Sequence, residues 1–134
     1  QACRHAIANS WVRSAHDCAE GGLAIALAEC CVTGSLGAEI TLGVPKHIDQ
    51  RWDEILFGEG GARILVSVPL KQQKIWESYL QENLDGYWQK LGIVGNLDSY
   101  LRILTTNNQP LIEVTIENMH NHYFQAIERR LIIQ

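Results

Sequence analysis

The chain has no surplus of basic residues: eleven Lys plus Arg stand against fifteen Asp plus Glu, a formal charge of −4. Binding to phosphate backbones ordinarily leaves such a surplus, so no nucleic-acid partner is expected. Long hydrophobic runs are missing as well. The longest, Leu23 to Ala28, falls far short of the ~20 residues a membrane helix needs. Gln1 to Trp11 lacks the charged and apolar regions of a signal peptide. The expectation is a soluble, cytoplasmic protein with no membrane partner. No Cys-x-x-Cys pair occurs: Cys3, Cys18, Cys30 and Cys31 crowd into the first quarter of the chain, without the ligand spacing of zinc or redox sites. They read as reduced core thiols, since secreted staples would be spread along the sequence. Internal repeats, low-complexity tracts and blocks of like charge are also lacking, which excludes solenoids and disordered tails.

What is present is enough for one core. The 134 residues are 46% hydrophobic and 19% charged, the balance of a single ordinary domain. The chain starts at Gln1, directly in a helix-like pattern and without an initiator Met, so residues 1–134 are expected to be a single domain cut from something longer.

Periodicity places the elements. Cys3, Ile7 and Trp11 fall at helical steps over residues 2–12. Val12 to Asp17 reads as a short strand running into Gly21-Gly22. From Leu23 to Val32 every residue but Glu29 is apolar or small, which predicts a helix buried on most of its circumference. Ala38–Val44 alternates as a strand, 49–57 gives a short helix, and Arg63–Val68 follows a glycine loop as a core strand. Leu70–Asn83 is an amphipathic helix, with Trp76 and Leu80 stacked at helical spacing. Three strands are expected at Tyr87–Val94, Tyr100–Thr105 and Leu111–Ile116, the last two joined through Asn107-Asn108, and one closing helix runs from Met119 to Arg130. Interleaved in this way, the elements predict an α+β fold, a mixed β-sheet covered mainly on one face by helices.

Two segments have the makings of a binding site. In Ser14–Glu29 a strand delivers His16 and Asp17 to a glycine turn that opens a helix. Glycines admit a close backbone approach, and a helix N-terminus offers unpaired N–H groups suited to a phosphate or carboxylate. Asp17 and Glu20 would repel a bare phosphate. They are left three roles: accepting loop N–H groups, binding a ribose hydroxyl, or meeting a metal that already carries phosphate. The bland alternative is a turn in which Gly21-Gly22 serves packing, Asp17 caps, and His16 is a half-buried imidazole bonded to backbone. In Leu56–Val68 a second glycine turn, Gly58-Glu59-Gly60-Gly61, could form an anion-binding nest with Glu59 and Arg63 on one rim, against the alternative of a surface loop. His120 and His122, two apart, do not have chelating helical spacing, and the four tryptophans lie on separate elements, as core fillers do.

Taken together, SAHDCAEGGLAIALAE and LFGEGGARILVSV, with the preceding QACRHAIANSWV, resemble the C-terminal domain of the large synthetase subunit of phosphoribosylformylglycinamidine synthase. The likeness is close over the first half and follows element order thereafter, with HNHYFQAIERRL similar to the family's closing helix, which implies that residues 1–134 are the single C-terminal domain of a longer synthetase chain. The resemblance implies the α+β fold of the aminoimidazole ribonucleotide synthetase C-terminal domain. It further implies a parent enzyme, a ligase of purine biosynthesis, that uses ATP and Mg²⁺ to convert formylglycinamide ribonucleotide and glutamine-derived ammonia to formylglycinamidine ribonucleotide. Implied partners are the parent's N-terminal ATP-binding domains, a separate glutaminase subunit and a small accessory subunit. No catalytic residue or metal ligand is carried over. His16, Asp17, Gly21, Gly22, Glu59, Gly60 and Gly61 are the candidate nucleotide- or phosphate-binding residues, in a domain expected to be inactive alone. Two hydroxyls often found in the family are absent, since Ala19 and Gly60 stand where Ser is common. The alternatives are the selenophosphate synthetase or hydrogenase maturation branch of the superfamily, and a dimerisation or scaffold domain whose loops hold nothing.

Overall fold

The apolar stretch after Gly21-Gly22 does become the helix around which the rest is built. The computed structural model describes residues 1–43, 51–60, 62–96 and 98–131. Helix α1 (Ala2–Ala8) leads to strand β1 (Ser14–Asp17), helix α2 (Gly22–Gly34) and strand β2 (Gly37–Leu42). After the segment 44–50, which lies outside the described residues together with part of the predicted 49–57 helix, come α3 (Trp52–Phe57), β3 (Ile64–Ser67), a single 3₁₀ turn and α4 (Gln73–Leu84). The chain then forms β4 (Gly92–Gly95), β5 (Tyr100–Thr105), β6 (Pro110–Thr115), α5 (Ile116–Phe124) and α6 (Ala126–Leu131).

Four strands form a mixed sheet in the order β4-β2-β5-β6, with β2 and β5 parallel and the two outer pairings antiparallel. The pleat sends alternate residues to opposite faces. Ala38, Ile40 and Leu42 of β2 and Leu101, Ile103 and Thr105 of β5 are all buried on one face. The five apolar ones pack with Ala24, Leu27 and Cys31 of α2 and Leu56 of α3. The opposite face is wet, carrying Arg102, which donates to Glu113 at 3.1 Å and lies 4.7 Å from the Tyr100 ring centre. The expected α+β sheet with one covered face is therefore present. Strands β1 and β3 stand apart as an antiparallel ribbon. The ribbon's Val66, with Val68 beyond it, packs on a second cluster of Ala6, Trp76 and Leu80 with Trp11, Tyr79 and Trp88.

Several boundaries differ from expectation. The first helix stops at Ala8 and not at residue 12, because Ser10 takes φ 56° and turns the chain; Trp11 still packs, its N–H donating to the Ala6 carbonyl at 2.9 Å. Tyr87, 92% exposed, lies outside β4, which begins at Gly92. The closing helix is two helices. Thr115 caps the first, its Oγ1 accepting from the Asn118 N–H at 3.1 Å, so Ile116 is helical and no longer a strand residue. The Asn107-Asn108 turn forms as read, with Asn108 at φ 59°.

Candidate functional site

The two glycine corners meet. Strand β1 pairs with β3 so that Asp17 lies opposite Ile64, and the Cys18 N–H donates to the Arg63 carbonyl at 2.9 Å. The chain then turns through Gly21 (φ 71°) and Gly22 (φ 69°), left-handed values that L side chains rarely adopt. At Gly22 space is as restricted as conformation: a Cβ there would lie 2.8 Å from the Phe57 carbonyl carbon and 2.9 Å from the Gly58 oxygen. Helix α2 thus starts hard against the end of α3. No side chain within its own turn caps α2. Instead the carboxylate of Glu59, from the second corner, accepts from the Gly21 N–H at 3.0 Å, an acid placed where the helix dipole favours one. Sequence reasoning had Glu59 on the rim of a nest for an external anion; here the carboxylate itself takes one of the amides that such an anion would use.

On the outer side, Glu54, Ile55, Gly58, Glu59, Gly60 and Arg63 line an open depression of about 440 Å³. The Arg63 guanidinium donates to the Gly58 carbonyl at 2.5 Å, closing the turn. Gly60 has open space around it. Gly61 lies outside the described residues. Asp17 and Glu20 are exposed, and neither side chain has a loop N–H partner among the described hydrogen bonds.

His16 sits at the root of the first corner. Its Nδ1 is 2.6 Å from the Asp17 carbonyl oxygen and its Nε2 is 3.1 Å from Oε2 of Glu29. The other Glu29 oxygen accepts from the Tyr123 hydroxyl of α5 at 3.4 Å. Glu29 is the residue that sequence reasoning missed. Its one signal was being the lone charge in an apolar helix, and nothing local could point to His16 or Tyr123. Burial pushes the Cys18 thiol up, with Arg63 opposing and Asp17 adding to the shift. This neighbour of the loop therefore stays a protonated, weakly reactive thiol.

Among the described residues no three His, Cys, Asp or Glu side chains form a group that could hold a metal ion. A phosphate at the α2 terminus would first have to displace Glu59. What the arrangement supplies is a rigid junction of two corners with an open, mixed-charge depression beside it.

Comparison with known proteins fits this architecture. The model for the AIR synthase related protein, C-terminal domain, matches residues 1–99. The chain is 63% identical over 131 residues to the phosphoribosylformylglycinamidine synthase subunit PurL of Trichormus variabilis, covering 98% of this chain and 17% of that relative. It therefore spans about a sixth of that protein's length. Among solved structures, Thermotoga maritima PurL complexed with ATP superposes with a TM-score of 0.71 at 26% identity, over 89% of this chain and 20% of that one. The structure of PurLQS from the same organism shares the fold, with a TM-score of 0.72 at 22% identity and the same coverage. On the breadth of the family match and the closeness of the relative, this chain belongs to the family of AIR synthase related proteins, as their C-terminal domain.

Proposed function

We propose that this chain is the C-terminal domain of the large synthetase subunit of a phosphoribosylformylglycinamidine synthase, a cytoplasmic ligase of purine biosynthesis. The observation that carries the reading is the 63% identity to a PurL subunit across 98% of the chain. The parent takes ATP, with Mg²⁺, as the donor of a phosphoryl group to the amide oxygen of formylglycinamide ribonucleotide, and glutamine-derived ammonia then displaces phosphate. Within that enzyme the corners at Asp17–Gly22 and Gly58–Gly61 form one wall of a nucleotide or phosphate pocket. His16, Asp17, Gly21, Gly22, Glu59, Gly60 and Gly61 are its lining, and the metal-holding acids lie in the N-terminal ATP-binding domains. The convergence of the corners through Glu59 and Gly22 supports a built wall. The glutaminase and the small accessory protein are separate subunits docked on the parent.

The test uses the full parent subunit with ATP, Mg²⁺, ammonia and formylglycinamide ribonucleotide. Phosphate release matched one to one by the amidine product is expected, and phosphate release with no dependence on the ribonucleotide overturns the proposal. Calorimetric titration with ADP and Mg²⁺ locates the pocket. Heat from the parent that falls on Gly22→Ala substitution supports the wall, and heat unaffected by that change removes these corners from it.

A further inference from the structure

Both ring nitrogens of His16 face acceptors. A carbonyl oxygen has no hydrogen to give, so Nδ1 donates to Asp17 across 2.6 Å. A neutral imidazole then has no second N–H. Nε2 lies 3.1 Å from Oε2 of Glu29, so a proton carried on that nitrogen is aimed at the carboxylate. Three elements meet at this carboxylate: β1 through His16, α2 through Glu29 itself, and α5 through Tyr123. The other charged group near the ring is Asp17, with Oδ1 4.0 Å from Nδ1 and its side chain 77% exposed. Strand β3 places Leu65 opposite His16 and brings no charge there. A half-buried carboxylate in an apolar helix costs desolvation that only such partners offset.

We propose that Glu29 is the positioning residue of the Asp17–Gly22 corner. Through the contact at Nε2 it fixes the orientation of the His16 ring, whose terminal torsion is otherwise broadly two-fold, and through Tyr123 it ties the corner to α5. The inference rests on the reading of this corner as part of the synthetase pocket, and it names what holds that pocket's imidazole.

The experiment takes the full parent subunit with ¹⁵N-labelled histidine. In the unsubstituted protein the His16 Nε2 hydrogen exchanges slowly with water and gives a resolved signal. Glu29→Ala abolishes that signal and lowers kcat/KM by about tenfold or more, as a misplaced binding group would, and Glu29→Asp recovers part of both. A signal that survives Glu29→Ala overturns the inference, and so does a lost signal with kcat/KM held within about twofold. Where Glu29→Ala fails to fold, Tyr123→Phe removes a single exposed hydroxyl: faster exchange of the same hydrogen supports the triad, and unchanged exchange overturns it. A parent that makes no amidine sinks the proposed function instead, and the imidazole signal then decides the inference alone.

Discussion

Gly22 and Gly60 look alike in the sequence and are opposites in the structure. Alanine at position 22 must hold φ near 69° and press its Cβ on the backbone of Phe57 and Gly58. Gly22→Ala is expected to cost about 2 kcal/mol or more, from left-handed strain and the clash together. At position 60 an added Cβ meets nothing within 4 Å, so Gly60→Ala should stay within about 0.5 kcal/mol of the parent sequence. Urea unfolding of the two variants checks the contrast, and equal midpoints would contradict the packing described. Cys31 gives a second residue-scale prediction. Burial, with a smaller contribution from Cys30, pushes its thiol from the ordinary 9.0 up to about 11. At pH 8 about a thousandth of it is thiolate, so iodoacetamide should modify Cys31 far more slowly than an unfolded control. The sign of the linkage follows. Between pH 9 and 11 the folded chain binds the proton that the unfolded chain has lost, so this contribution to stability is intact below pH 9 and is lost as pH rises through the folded value.

Elements differ in how far their ends could be read. Thr115 finishes β6 and caps α5 with one hydroxyl. Thr115→Ala should cost about 1 kcal/mol, seen as a lower thermal midpoint with the sheet's far-ultraviolet signal intact. The switch from strand to helix at Ile116 was not legible, because Leu111–Ile116 is equally β-forming and the cap acts through one side-chain bond. Helix α2, by contrast, was legible almost to the residue: its apolar run fits only a helix with neighbours on most sides, and α3, α5 and the sheet supply them. The strand pairing was not legible. Three consecutive late strands suggested neighbours, yet β2 lies between β4 and β5, a choice made by tertiary packing and not by local pattern. The site divides in the same way. Glycines and their flanking acids marked both corners, whereas the contacts Glu59–Gly21 and His16–Glu29 join residues far apart in sequence or on different elements.

Across the whole molecule, stability should be graded from the centre of the sheet outward. β2 and β5 are paired on both sides, and β5 holds the largest fully buried side chains, Ile103 at 0% and Leu101 at 2% exposure. Edge strand β4 exposes Ile93 at 58% and Val94 at 54%, and the β1–β3 ribbon exposes Ile64 at 54%. Native-state hydrogen exchange should therefore find the slowest amides in β2 and β5, opening only with global unfolding, and faster ones in β4 and the ribbon. The reverse order would show that α2 is not anchored on the sheet as described.

The parallel joining of Ala38 to Leu101 also has a bearing on how the protein is made. A nascent chain that has released α2 and β2 from the ribosome holds the apolar side of both with no central strand to complete the layer, and about sixty further residues must emerge first. For that interval the most water-averse helix of the domain depends on temporary shelter. Slowing translation between Gly43 and Tyr100 should therefore increase chaperone capture of the newborn chain, whereas a pause after Thr115 should not.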